Sequence, residues 1–101
     1  MIRGAESAGV EREGEIMRYR INVRVMPKSG ISDPEGKAIY DAALQLGYGE
    51  VRGVHAGRSF TVEGEYASLD EARKGAEELA ERLLANPVIQ SYEVVSIEEF
   101  S

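Results

Sequence analysis

A chain of 101 residues without cysteine holds one small domain, and it can build neither a disulfide framework nor a thiolate metal site. Its net charge of −6 argues against nucleic acid, whose binding is dominated by neutralising phosphates. No run approaches the ~20 apolar residues of a membrane span, and the N-terminus carries no apolar signal core, so a cytoplasmic protein with no membrane partner is expected.

The charge is unevenly placed. From Met17 to Lys37 the balance is +3, carried by Arg18, Arg20, Arg24, Lys28 and Lys37 against Asp33 and Glu35. From Ala38 onward it is −7. A polar molecule of this kind is suited to pair with itself or with a complementary partner.

Residues 1–16 show little apolar periodicity and read as a tail or a start assigned too early, with Met17 as the alternative start and residues 17–101 as the single domain. Arg18–Met26 alternates cleanly. Tyr19, Ile21, Val23 and Val25 form an apolar face, and Arg18, Arg20, Asn22 and Arg24 the opposite one, the pattern of a strand with one face in the core. Asp33-Pro34 is a helix start: the carboxylate accepts N–H groups of the first turn, and proline pre-sets φ at the first helical position. Ile39, Ala42, Ala43 and Leu46 then share one helical face, predicted to pack on the sheet, and Gly47 ends the helix.

Val51–Ala56 reads as a short strand and Gly57-Arg58 as a turn into a second strand through Phe60, Val62 and Tyr66. Ser68-Leu-Asp-Glu71 is a capping box that opens a second helix, with Ala72, Ala76, Leu79 and Leu83 as its predicted buried stripe. Asn86 suits the helix end through its tolerance of left-handed backbone angles, and Pro87 forbids a further turn. Tyr92–Ile97 is the last strand, followed by a short tail. The order β-α-β-β-α-β with short connections predicts an α+β, two-layer, ferredoxin-like fold: a four-stranded antiparallel sheet with two helices on one face, associating through sheets.

The residues offer no credible catalytic set. His55 is the only histidine, and it lies in a short stretch of small residues without a partner motif. No His, Cys or clustered Asp spacing suggests a metal site. Gly47-Tyr-Gly49-Glu-Val-Arg-Gly53 has the wrong spacing for a dinucleotide loop and follows a helix instead of opening one. The strand order also suits an RNA-recognition module, but Arg58–Tyr66 lacks its aromatic signature and carries two glutamates. The residues expected to make contacts are Arg18, Arg20, Arg24, Lys28, Asp33 and Arg58, as guanidiniums meeting carboxylates and the loop beside them.

Two blocks combine at this point. Asp33-Pro-Glu-Gly36-Lys-Ala-Ile39 with Leu46-Gly-Tyr48, and Leu83-Leu-Ala-Asn-Pro-Val-Ile89 with Tyr92, have Val51, Val54 and Gly57-Arg58 between them. This pattern, from about Tyr19 to Ile97, resembles the PurS small subunit of phosphoribosylformylglycinamidine synthase. Gln90-Ser91 departs from the acidic residues common there, and residues 1–16 have no counterpart. The resemblance implies a non-catalytic assembly subunit in purine biosynthesis. It would associate with itself as a dimer or tetramer and bridge a glutaminase (PurQ-type) and a synthetase (PurL-type) subunit. Such a complex moves ammonia from glutamine onto formylglycinamide ribonucleotide. ATP and magnesium would sit on the synthetase, leaving no cofactor on this chain. An ACT-type amino-acid-sensing domain is the alternative, with Gly30 in its ligand loop.

Overall fold

Alternation along residues 17–27 decides the centre of the molecule. The computed structural model describes residues 16–100, so the tail expected over residues 1–16 lies, but for Ile16, outside the described residues. Strand β1 (Met17–Pro27) runs between β2 (Arg58–Tyr66) and β3 (Gln90–Phe100), antiparallel to both. Tyr19, Ile21, Val23 and Val25 are buried on one face of it, as the alternation requires. The ladder to β3 slips between Asn22 and Val23, where Val95 of β3 is the extra, unpaired residue of a bulge.

Helix α1 (Pro34–Gln45) and helix α2 (Leu69–Leu79) follow the capping signals. The Ser68 hydroxyl accepts the Glu71 N–H at 3.1 Å, and three alanines, Ala72, Ala76 and Ala80, are wholly buried against the β1 row. Their small side chains let α2 lie close over the middle of the sheet. A single π-helical turn, Ala80–Leu84, extends α2, and Ala85 N–H reaches back to the Ala80 carbonyl at 2.9 Å. The extra residue in this turn brings Ala80 and Ala85 together into the core and leaves Leu84 half-buried. It turns Leu83, predicted to be buried, out to 75% exposure.

Four further readings are corrected. Among the described residues the sheet has three strands, because Val51–Ala56 joins no ladder. Gly57-Arg58 makes no turn, since Arg58 is already paired opposite Val25. The last strand runs on through Glu98–Phe100, opposite Arg18–Arg20, where a tail was expected. Asn86 does not adopt a left-handed backbone. Its side-chain oxygen accepts the Val88 N–H at 3.1 Å, and its own N–H is taken by the Gln90 side chain at 2.7 Å, an Asx turn in place of a left-handed cap.

The larger difference concerns α1. Its ends form as the sequence predicts. Asp33 caps it, and it closes in a Schellman motif, with Tyr48 N–H on the Ala43 carbonyl, Gly47 N–H on the Leu44 carbonyl and Gly47 at φ 98°. Yet α1 has at most glancing contact with the other elements, and Gly36 is its only buried residue. Ile39, Leu44, Leu46 and Tyr48 stand between 41% and 75% exposed. Ile21→Ala should cost roughly 2–5 kcal/mol of unfolding free energy, and Leu83→Ala no more than about 0.5 kcal/mol. Urea denaturation of the two variants checks this, and equal costs would contradict the turned-out Leu83.

Candidate functional site

Three surfaces carry the residues named from the sequence. The first is the open face of the sheet, opposite α2. Arg18, Arg20, Asn22 and Arg24 run down its centre, and the register sets carboxylates beside them. Arg20 Nε donates to Glu63 Oε2 at 3.2 Å, with Glu98 at 3.9 Å on its other side. Arg24 pairs with Glu93 at 2.6 Å. The guanidiniums of Arg18 and Arg20 lie over the Phe100 ring, 5.1 and 4.2 Å from its centroid. Across all three strands, the Thr61 hydroxyl donates to Asn22 Oδ1 and Asn22 Nδ2 donates to Ser96 Oγ, both at 2.8 Å. The face is therefore a polar network in which the arginines already have partners on their own sheet. These pairs are solvent-exposed, so each contributes little to stability.

The second surface is a shallow cleft of about 240 Å³ at the end of β1, lined by Pro27, Ile31, Asp33, Arg58, Ile89 and Gln90 among others. Arg58 stacks toward Phe60, 5.4 Å from the ring centroid. Lys28 does not line the cleft. Its ammonium donates to the Pro87 carbonyl at 2.6 Å and, with Lys28 N–H on the Ile89 carbonyl, ties β1 to the turn before β3.

The third is built around Asp33. One carboxylate oxygen accepts the Gly36 N–H and the other the Ala56 N–H, each at 3.0 Å. The first bond caps α1; the second joins residues 23 positions apart. Two backbone hydrogen bonds, that from Ala56 the stronger influence, hold the Asp33 carboxyl below the usual carboxylate range, helped by the charge of nearby His55. A side chain on Gly36 would run into the Asp33 carboxylate and the Val54 carbonyl, so glycine there lets the helix start and the 51–56 segment touch. Residues 33–56 are thus a lobe latched at its root. His55 is exposed on this lobe. Elsewhere, the Tyr92 hydroxyl donates to Glu81 at 3.1 Å, and that bond raises its pKa above the usual tyrosine value.

No cluster of three or more His, Cys, Asp or Glu among the described residues could hold a metal ion, and no helix among them is long and apolar enough to cross a membrane. Sequence reasoning found Asp33 as a cap but missed its hold on Ala56. It found the arginine row but not Glu63, Glu93 and Glu98 beside it, because register decides which carboxylates stand opposite.

These surfaces belong to a small α+β module whose distinctive feature is a lobe set apart from its own core. The family described as "PurS: Phosphoribosylformylglycinamidine (FGAM) synthase" matches residues 20–98. The chain is 40% identical over 74 residues to phosphoribosylformylglycinamidine synthase subunit PurS of Archaeoglobus fulgidus, covering 73% of this chain and 92% of that protein. It superposes on PurS of Thermus thermophilus with a TM-score of 0.75 at 31% identity, covering 83% of this chain and 99% of that one. It also matches a chain in the structure of PurLQS from Thermotoga maritima, with a TM-score of 0.66 at 28% identity over 81% of this chain and 96% of that one. The chain belongs to the PurS family.

The latch makes a checkable prediction. A carboxylate with a depressed folded-state pKa contributes stability that is fully present above the unfolded-chain value and is lost as pH falls through the folded one. On acidification, the Gly36 and Ala56 amide resonances should move together, with one midpoint below the ordinary aspartate value. Separate midpoints, or a shared one at the ordinary value, would contradict a carboxylate held by both amides.

Proposed function

We propose that this chain is the non-catalytic PurS subunit of an FGAM synthase of purine biosynthesis, associating with itself and joining a PurL-type synthetase to a PurQ-type glutaminase. In this role it assists the passage of ammonia from glutamine to formylglycinamide ribonucleotide, while ATP and magnesium act on the synthetase. The observation that carries the reading is the uncovered apolar face of α1. A chain of this length that folds its predicted core helix out of its own core has surface to bury on another protein. Family membership and the match to a chain of the PurLQS structure support the same reading, and no feature favours the ACT alternative.

The open sheet face with Arg18, Arg20 and Arg24, and the Lys28–Asp33 loop with Arg58, are the surfaces offered to the larger subunits. Their arginines can exchange exposed carboxylates of their own sheet for those of a partner at small cost.

Mixing the chain with its synthetase and glutaminase tests the function. Glutamine-dependent formation of formylglycinamidine ribonucleotide should require all three proteins, and free ammonia should support the reaction without this one. Glutamine-dependent turnover that is the same with the chain omitted would overturn the assembly role.

A further inference from the structure

The connection from α2 to β3 presents two apolar side chains that the fold does not use. Leu83 stands 75% and Val88 77% exposed. A regular α-helical course would keep Leu83 in line with Ala72, Ala76 and Leu79. The π-helical turn Ala80–Leu84 turns it outward instead. Such turns are rare, and they occur frequently at functional sites.

The segment that carries these two residues is braced from several sides. The Tyr92 hydroxyl holds Glu81 of the π-helical turn at 3.1 Å. The Gln90 side chain accepts the Asn86 N–H at 2.7 Å, and the Asn86 side chain accepts the Val88 N–H at 3.1 Å. The Lys28 ammonium donates to the Pro87 carbonyl at 2.6 Å. Ala80 and Ala85 fix the base of the segment in the core. Apolar side chains on a braced segment make an efficient anchor, because little conformational freedom is left to lose on binding.

Charge narrows the partner. The net charge of the chain is −6, yet the residues bordering the two apolar side chains are cations: Arg82 precedes Leu83, and Lys28 is bonded beside Val88. Neither forms an ion pair among the described residues. Glu81, the nearest carboxylate in sequence, is engaged by Tyr92. A complementary surface is an apolar pocket with carboxylates at its rim. A second copy does not suit it, because a two-fold contact would set Arg82 and Lys28 against the same two cations.

We infer that residues 82–88 are an anchor that seats Leu83 and Val88 in an acid-rimmed apolar pocket of the synthetase subunit. This rests on the assembly role proposed above and deepens it. That role sends ammonia to the synthetase, so the contact that gains most from a preformed anchor is the one with the receiving protein.

The complete mixture of this chain, synthetase and glutaminase, supplied with glutamine, ATP and magnesium, tests the anchor. In Leu83→Asp and Val88→Asp, the chain concentration giving half-maximal glutamine-dependent turnover should rise roughly 30-fold or more. Their circular dichroism and self-association should stay those of the parent, since neither side chain belongs to the core. Tyr92→Phe, which removes the brace on Glu81, should raise that concentration about threefold. A photo-crosslinking benzoylphenylalanine at position 83 should label the synthetase. Half-maximal concentrations unchanged in both aspartate variants, or a label found on the glutaminase or on a second copy, would overturn the anchor and leave the assembly role standing. Glutamine-dependent turnover indifferent to the parent chain itself would overturn both.

Discussion

The course of the chain through Gly57 determines the rest of this structure. Had the backbone turned there, 51–56 would have folded back beside β2 and brought α1 over the same sheet. It goes straight because Arg58 is committed to the β1 ladder, and because the residue before it has no side chain to hold it off the Val25 carbonyl. The three-stranded sheet, the displaced helix and the Asp33–Ala56 latch all follow from that one constraint.

Packing above the sheet is compatible with it. The alanines of α2 let one helix sit low over the β1 row, and Phe60, Val62, Tyr92 and Val94 of the flanking strands pack around the four buried side chains of β1. That core is small for 101 residues. The apolar surface that would enlarge it, Ile39, Leu44 and Leu46, is held on a lobe made rigid at its root by two hydrogen bonds to one carboxylate. A rigid lobe is better suited to docking than a loose one, because less conformational freedom is lost on binding.

Much of this was legible in the sequence, and the gaps have physical causes. Period-2 alternation identified the buried face of β1 because it depends only on neighbouring residues. Asp33, Pro34, Ser68 and Gly47 marked helix ends because caps are local chemistry. The helical periodicity of Ile39, Ala42, Ala43 and Leu46 states that a face wants cover; it does not state which chain covers it. Val51–Ala56 has the composition of a strand but no partner within reach, and a strand is defined by its ladder. Leu83 was assigned to the buried stripe because a π-helical turn leaves no mark in a residue pattern. The carboxylate partners of Arg20 and Arg24 come from β2 and β3, 43 and 69 residues away, and only the register reveals them.

For a member of an assembly this division of labour is economical. The face of the sheet away from α2 stays polar and self-satisfied, while the apolar side chains of the lobe remain exposed. The most direct measurement is an isotope-filtered nuclear Overhauser experiment on a dimer mixed from labelled and unlabelled copies. Contacts from the Ile39 and Leu46 methyl groups to the Phe60 ring and the Val62 methyls should be absent within one copy. The same contacts found within one copy would contradict a lobe held apart from its own core.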